Sequence, residues 1–416
     1  MKLGKFIVDC TPPTGTPVGF GIGKKTDGVR DKLWLRGVIL DDGSNKCVIA
    51  SMDYCGLMNS AYDHLVGAIA EAVGTSVDHV TIHCIHQHDA PLICFEIEDI
   101  LDITTFPREW WNNLLSQAAI AAKKSLSEMI CVSSVGYAET RIHGYASNRR
   151  IIGEDGKVAG MRYSKCDEVE LKEKPVGTID PFLRTIAFKD SNNQVVVSWN
   201  FYATHPQVAN GRNMFSADAP GEAVRITENS LPESSPCFFT GLSGNVTAGK
   251  YTSPTDLEGN LKKFGKILAD GISHNLNSMR WDECKDFKLE SASFEFPRKE
   301  RSGYSSEEGI DNAEIFDAVL QSCHDYDKNK IYCLRMLSIG SVKIMLFPGE
   351  PFVEYQLFAQ SLIPDEFIAI AGNCSDNFLY LPLEKSFAEG GYETEGFCWC
   401  DERIEKELKK AIKALI

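Results

Sequence analysis

Apolar residues recur along the chain with two periods, and the changes of period mark its elements. Apolar runs at 33–40 and 47–52 are joined by Asp41-Asp42-Gly43-Ser44 and predict a β-hairpin with an Asp-Gly turn. Over 60–73 the spacing becomes helical: Tyr62, Leu65, Val66, Ile69 and Val73 share a face, and Gly74 follows as a C-cap. A buried strand from Val80 comes next. A second helix is predicted at 108–129, with Trp110, Leu114, Leu115, Ala118, Ala122 and Leu126 as its core-facing stripe. Further strands are expected at 131–137, 185–188, 195–201 and 236–240, and a long helix at 256–279. The C-terminal part predicts a hairpin of 332–339 and 342–347 across Gly340-Ser341, a helix at 351–362, a short strand at 367–371 and an amphipathic helix at 402–416. Two stretches break the pattern. Residues 139–181 are polar and loop-like, long enough to mark a functional loop. Residues 299–330 are charged and predict an insertion with a helix at 313–322. The pattern as a whole predicts an α/β (α+β) fold of mixed β-sheets flanked by helices.

Composition narrows the function. The chain is 43% hydrophobic and 24% charged, which places it among ordinary globular proteins. Its net charge of −15 excludes nucleic acid and tight binding to anionic membranes as general roles. No apolar run is long enough for a transmembrane helix. Met1 to Asp9 lack the apolar core of a signal peptide, and the 14 cysteines form no Cys-X-X-Cys pair. Free thiols and a cytoplasmic location are the expectation.

The chemistry gathers at predicted strand ends. In Ile82-His83-Cys84-Ile85-His86-Gln87-His88-Asp89-Ala90-Pro91, residues two apart in an extended chain share a face, so His86 and His88 are expected to project together. His83 has the opposite parity and is expected to pack or hydrogen-bond elsewhere. His205 ends another apolar strand, again before a proline. Glu350 stands at a strand-to-helix corner in Pro348-Gly349-Glu350-Pro351, and Asp53 closes the first hairpin. The small residues of Gly241 to Gly249 suit either an oxyanion hole or a plain turn. Two histidines and a glutamate would fill three positions on zinc and leave one for water, a set suited to hydrolysis of an amide or ester.

In order along nearly all 416 residues, the chain resembles the N-terminal catalytic domain of the neutral/alkaline ceramidases, which are zinc amidases. The matching stretches are Asp9-Cys10-Thr11-Pro12-Pro13, Asp41-Asp42-Gly43 before the strand ending at Asp53, and His86 to Pro91. They continue with Asn148-Arg149-Arg150, Ala203-Thr204-His205-Pro206, Ser216 to Gly221, Gly244-Asn245-Val246-Thr247, Pro348-Gly349-Glu350 and Gly390-Gly391-Tyr392-Glu393. The resemblance implies zinc held by His86, His205, Glu350 and Tyr380. It implies His88 as proton partner or carbonyl polariser, Arg149 (rather than Arg150) and Tyr380 facing the oxyanion, and Thr247 where ceramidases carry an active-site serine. Gln87, Asp89, Ala90, Asn245 and Thr247 depart from the family pattern. The chain is expected to form one catalytic domain over 1–416, without the C-terminal immunoglobulin-like domain of full ceramidases. The departures imply that the metal chemistry is kept while the substrate need not be a lipid.

The expected function is therefore zinc-dependent cleavage of a C–N amide bond in a small N-acyl compound. The nucleophile is either water activated by the metal or Thr247. Two alternatives stand beside it: a binding protein that keeps the pocket without catalysis, and an amidohydrolase barrel, which the mixed hairpins fit poorly.

Overall fold

The computed structural model describes residues 1–19, 25–299, 312–326, 330–375 and 379–416. Its centre is a nine-stranded mixed sheet. The strand order is Ser235–Thr240, Val195–Tyr202, Phe182–Asp190, Ile130–Arg141, Lys2–Asp9, Trp34–Asp41, Lys46–Met52 and Val80–Cys84, with Arg280–Glu283 also paired to Ile130–Arg141. Alternation along each strand divides the apolar residues between two faces. Phe6, Val8, Leu35, Ile39, Val48 and Ala50 face the helices Asn59–Val73 and Arg108–Ser127. On the same side, helices Asp218–Ser230 and Leu257–Ser278 cover Leu183, Tyr202 and Phe238. Leu3, Val38, Ile49, Phe188, Trp199 and Phe239 face the other way, onto a second sheet. That sheet is ordered Lys288–Phe294, Tyr332–Ile339, Val342–Leu346 and Phe367–Ala371. Helices Val353–Leu362 and Ile404–Leu415 close its far side around Phe347, Tyr355, Ile370 and Leu408. The result is four layers, helix–sheet–sheet–helix, as expected for an α/β chain of mixed sheets.

Both sheets are largely antiparallel, with three parallel pairs that decide where the site lies. Each parallel pair is bridged by a helix, because parallel neighbours need a long crossover. Lys46–Met52 and Val80–Cys84 enclose Asn59–Val73; Val195–Tyr202 and Ser235–Thr240 enclose Asp218–Ser230; Val342–Leu346 and Phe367–Ala371 enclose Val353–Leu362. The carboxyl ends of such pairs are where open α/β sheets bind ligands.

Here the three ends meet. The large sheet curls until its two edge strands approach, and side chains close the gap. Ser51 donates to the Phe238 carbonyl at 2.6 Å, and Thr240 donates its hydroxyl to the Ile85 carbonyl at 2.7 Å. His83 joins all three units. Its Nε2 accepts the Thr240 amide at 3.0 Å, and its Nδ1 donates to the Gly372 carbonyl at 2.7 Å. The residue whose parity predicts a partner elsewhere is thus the pin through the seam.

Several expectations are corrected. The buried tryptophan of the Arg108–Ser127 helix is Trp111, with Trp110 only partly covered. The stretch 139–181 is not one long loop: Ile130–Arg141 runs into it, and Arg150–Ile152 pairs with Val158–Met161 across an Asp155-Gly156 turn whose chemistry is present in the sequence. The helix expected at 313–322 is found as Asn312–Tyr326, while 300–311 and 327–329 of the expected insertion lie outside the described residues.

Candidate metal and catalytic site

His86 does not lie on the strand that leads to it. The strand ends at Cys84, and His86 takes φ +67°, in the left-handed region that costs a β-carbon strain. The turn aims the ring inward, where its Nδ1 donates to the Cys55 carbonyl at 2.7 Å. His205 follows Val195–Tyr202 and is held the same way, Nδ1 donating to the Ser243 carbonyl at 2.7 Å. A carbonyl oxygen only accepts, so each Nδ1 carries a proton and each Nε2 presents its lone pair when the ring is neutral.

Both Nε2 atoms converge on one oxygen. Glu350 Oε2 lies 3.1 Å from His86 Nε2 and 3.2 Å from His205 Nε2. Glu350 reaches this point because Gly349, at φ +61°, turns the chain out of Val342–Leu346, and because the Glu350 amide donates to the Leu379 carbonyl at 2.8 Å. Glu350–Pro351 pairs in parallel with Tyr380–Leu381, Glu350 opposite Tyr380, which sets the tyrosine beside the carboxylate. All four residues are buried.

The electrostatics of the cluster ask for a cation. Burial opposes the charge of Glu350, yet the His86 and His205 imidazoles outweigh it and hold the carboxyl well below the usual range. Burial and the nearby Arg149 push His205 down to about 4. On His86 burial works against a charge, but Glu350 prevails and draws its pKa up. The carboxylate thus pulls positive charge to the point between the rings. His86 Nε2 is nonetheless buried without a properly aligned hydrogen-bond partner. Two imidazole lone pairs and a carboxylate oxygen, with both Nδ1 atoms fixed by backbone carbonyls, form the donor set of a divalent cation with ordered supporting hydrogen bonds. The residues fit a divalent metal ion.

His86, Glu350 and Tyr380 line a cavity of about 500 Å³, while His205 is fully buried and outside its lining. His88 lines it, with its ring centroid 5.1 Å from that of His86, although a turn rather than an extended strand brings the two together. The His88 Nε2 lies 2.7 Å from the side-chain amide of Gln207, which is tied at 3.1 Å to the Ser164 hydroxyl. Arg149 and Tyr380 line the same cavity. The Arg149 guanidinium lies 5.1 Å from the Tyr380 ring centre and 5.0 Å from that of Tyr392. It is fixed by Glu393 at 2.9 Å and by the Gly244 carbonyl at 2.5 Å. Arg150 takes the other oxygen of Glu393 at 2.8 Å and also bonds Glu389, so it buttresses this wall from behind. Burial raises the Tyr380 phenol well above its usual range, keeping it a neutral donor at pH 7.

The structure does not bring Thr247 into this group. Its hydroxyl donates to the Arg162 carbonyl at 2.9 Å and accepts from the Gly249 amide at 3.2 Å, it is fully buried, and it is absent from the cavity lining. Its strand, Val246–Thr247, instead pairs with Ser147–Asn148 and so positions Arg149. Asp53 is likewise absent from the lining; it accepts the Trp34 amide at 2.9 Å, and burial pushes its carboxyl up to about 7. Asn245, which departs from the aspartate of the ceramidase pattern, accepts the Val353 amide at 3.0 Å and donates to Glu354 at 2.9 Å. A carboxylate could not make the second bond.

Gln207, Ser164, Lys165, Asn210, Tyr392 and Glu393 complete the surroundings; Tyr392 and Glu393 belong to a stretch that carries the ceramidase resemblance, and the other four are not marked out as functional by sequence. Gln207 lies two residues beyond His205, and Ser164 and Lys165 lie in the long polar stretch; those positions were the available signal.

No protein-family model matches the chain, and no curated protein matches it by sequence. Solved structures do. A neutral ceramidase from Pseudomonas aeruginosa superposes with a TM-score of 0.75 at 15% identity, over 100% of this chain and 74% of that one. A ceramidase complexed with C2 superposes with a TM-score of 0.74 at 14% identity, over 100% of this chain and 75% of that one. The chain has a neutral-ceramidase-like fold along its whole length.

Proposed function

We propose that the protein is a zinc-dependent hydrolase that cleaves an amide bond in a small N-acyl compound. The observation that carries this reading is the convergence of His86 Nε2 and His205 Nε2 on one buried oxygen of Glu350, at 3.1 and 3.2 Å, with His86 and Glu350 themselves in the wall of a cavity. The likeness of fold to ceramidases, enzymes named for an amide substrate, supports the bond type.

His86, His205 and Glu350 would hold the ion, with Tyr380 beside Glu350 as the fourth ligand. A zinc ion bound there would lower the pKa of a water to about 7 and polarise a carbonyl oxygen. The remaining work falls to protein groups. The Gln207 side-chain amide donates to His88 Nε2, so the neutral ring carries its proton on Nδ1 and would donate that N–H to polarise the substrate carbonyl. Arg149, held rigid by Glu393 and the Gly244 carbonyl, places a fixed positive charge where the carbonyl oxygen gains negative charge. Water, rather than Thr247, is the nucleophile in this reading, because the Thr247 hydroxyl is committed to backbone partners away from the cavity.

The test is hydrolysis of a panel of short N-acyl amides by protein stripped with a chelator and then reloaded. Turnover should vanish on stripping and return with zinc, and His205→Ala should abolish it, by about 10³-fold or more. Full activity in the stripped protein would end the proposal.

A further inference from the structure

Two polar groups in the cavity wall have no task in the chemistry above. Lys165 lines the cavity, and among the described residues no carboxylate lies within 4.0 Å of its ammonium, the nearby Asp89 acting on it only at longer range. Asn210 lines it too, and its side-chain oxygen is buried without a hydrogen-bond partner. Gly211 joins them. It sits at φ +85°, and a β-carbon there would lie 3.0 Å from Lys165 Nζ, so the ammonium rests against the backbone beside Asn210. The Gly211 amide donates to Asp89 at 2.7 Å, which fixes this turn. The pair is also near the reaction. Ser164, the neighbour of Lys165, bonds Gln207, and Gln207 bonds His88.

Burying an acceptor without a donor is unfavourable, so the Asn210 oxygen favours a ligand that brings an N–H or O–H. A cation in a partly enclosed wall favours a ligand that brings negative charge. Both groups line the same cavity as His88, so a ligand that meets both demands is one seated in that cavity beside the reaction site. An N-acyl amino acid meets them together: its amide N–H and its carboxylate are separated by a single carbon. A neutral amide headgroup bearing only hydroxyls would leave Lys165 unused.

We propose that the substrate is an N-acyl amino acid, its carboxylate seated on Lys165 and its amide N–H on the Asn210 side-chain oxygen. The inference rests on the hydrolase reading and specifies its substrate class. The reaction balances with water alone. The C–N bond breaks, the water oxygen joins the acyl carbon to give a carboxylic acid, and a water proton goes to the nitrogen to give the free amino acid.

The test compares N-hexanoylglycine with its neutral isostere N-hexanoylglycinamide on the zinc-loaded full chain. Wild type should prefer the acid by about tenfold or more in kcat/KM, the size of one charged hydrogen bond. In Lys165→Met that preference should collapse toward unity through a raised KM for the acid. In Lys165→Glu it should pass to the amine-bearing N-hexanoylethylenediamine. Wild type treating acid and glycinamide alike, or Lys165→Met slowing both equally, overturns the proposal and leaves the hydrolase reading intact. If no amide is turned over, the hydrolase reading fails instead. The carboxylate seat is then decided by calorimetric titration with N-hexanoylglycine: about tenfold weaker binding to Lys165→Met supports it, and equal binding overturns it.

Discussion

Glu350 is a buried carboxylate facing two imidazole nitrogens whose opposite ends are already committed to carbonyl oxygens. Everything near it is arranged to keep charge in place. Glu393 sits between Arg149 and Arg150 and holds the Arg149 guanidinium against Tyr380 and Tyr392. Lysine cannot reproduce that fork of bonds. Arg149→Lys should therefore lower kcat/KM by about 10²–10³ while bound metal stays at the wild-type level, measured by steady-state kinetics beside elemental analysis. Metal lost together with activity would assign Arg149 a structural role instead. His83 has a different task. Burial pushes its pKa down to about 3, against roughly 6.5 in the unfolded chain. The neutral ring is favoured in the fold, so this contribution is intact above pH 6.5 and is lost as pH falls toward 3. From pH 7 to 5 the loss is about 2 kcal/mol. His83→Phe removes the titration but orphans the Thr240 amide and leaves the Gly372 carbonyl only the Cys374 thiol as donor, at a cost of about 2–4 kcal/mol. Denaturant unfolding should show the gap between the two proteins narrowing by about 2 kcal/mol between pH 7 and 5; a constant gap would contradict the assignment.

At the scale of elements, the candidate ligands were legible because each closes an apolar run and precedes a turn or a proline. His86, His205 and Glu350 share that placement, and it is the placement of the site in the fold. The path from strand to ligand was less legible. Parity along an extended chain pairs His86 with His88, yet His86 sits in a left-handed turn beyond Cys84, a conformation that no period in the sequence encodes. Gln207, Lys165 and Asn210 were hidden for another reason: they act through contacts between loops that the sequence sets tens to over a hundred residues apart. Thr247 shows the converse. Its place in the motif order is right, but local hydrogen bonds turn its hydroxyl to the backbone. Gly244 marks how tightly these loops fit. A β-carbon there would lie 2.4 Å from the Glu350 carbonyl oxygen, which is backbone and cannot step aside cheaply. Gly244→Ala should displace Glu350, costing about 1–3 kcal/mol in thermal or denaturant unfolding, with weaker metal retention on dialysis. Unchanged stability and metal content would show that the loop yields without moving the ligand.

At the scale of the molecule, three strand–helix–strand units are folded so that their carboxyl ends meet. The Val80–Cys84 unit supplies His86, the Val195–Tyr202 unit supplies His205, and the Val342–Leu346 unit supplies Glu350. Among the described residues no helix is long and apolar enough to cross a membrane. Because the donors come from three separate units, no single element can hold the ion, and the site exists only when both sheets are docked. The metal content of the desalted full chain, wild type beside Glu350→Gln, tests this most directly. Glutamine keeps the shape of the side chain and removes the charge that the two imidazoles face. The expected result is a single divalent ion per wild-type chain and little or none in Glu350→Gln. A wild type that binds no divalent ion after reconstitution, or a Glu350→Gln protein that keeps its full complement, would contradict the account.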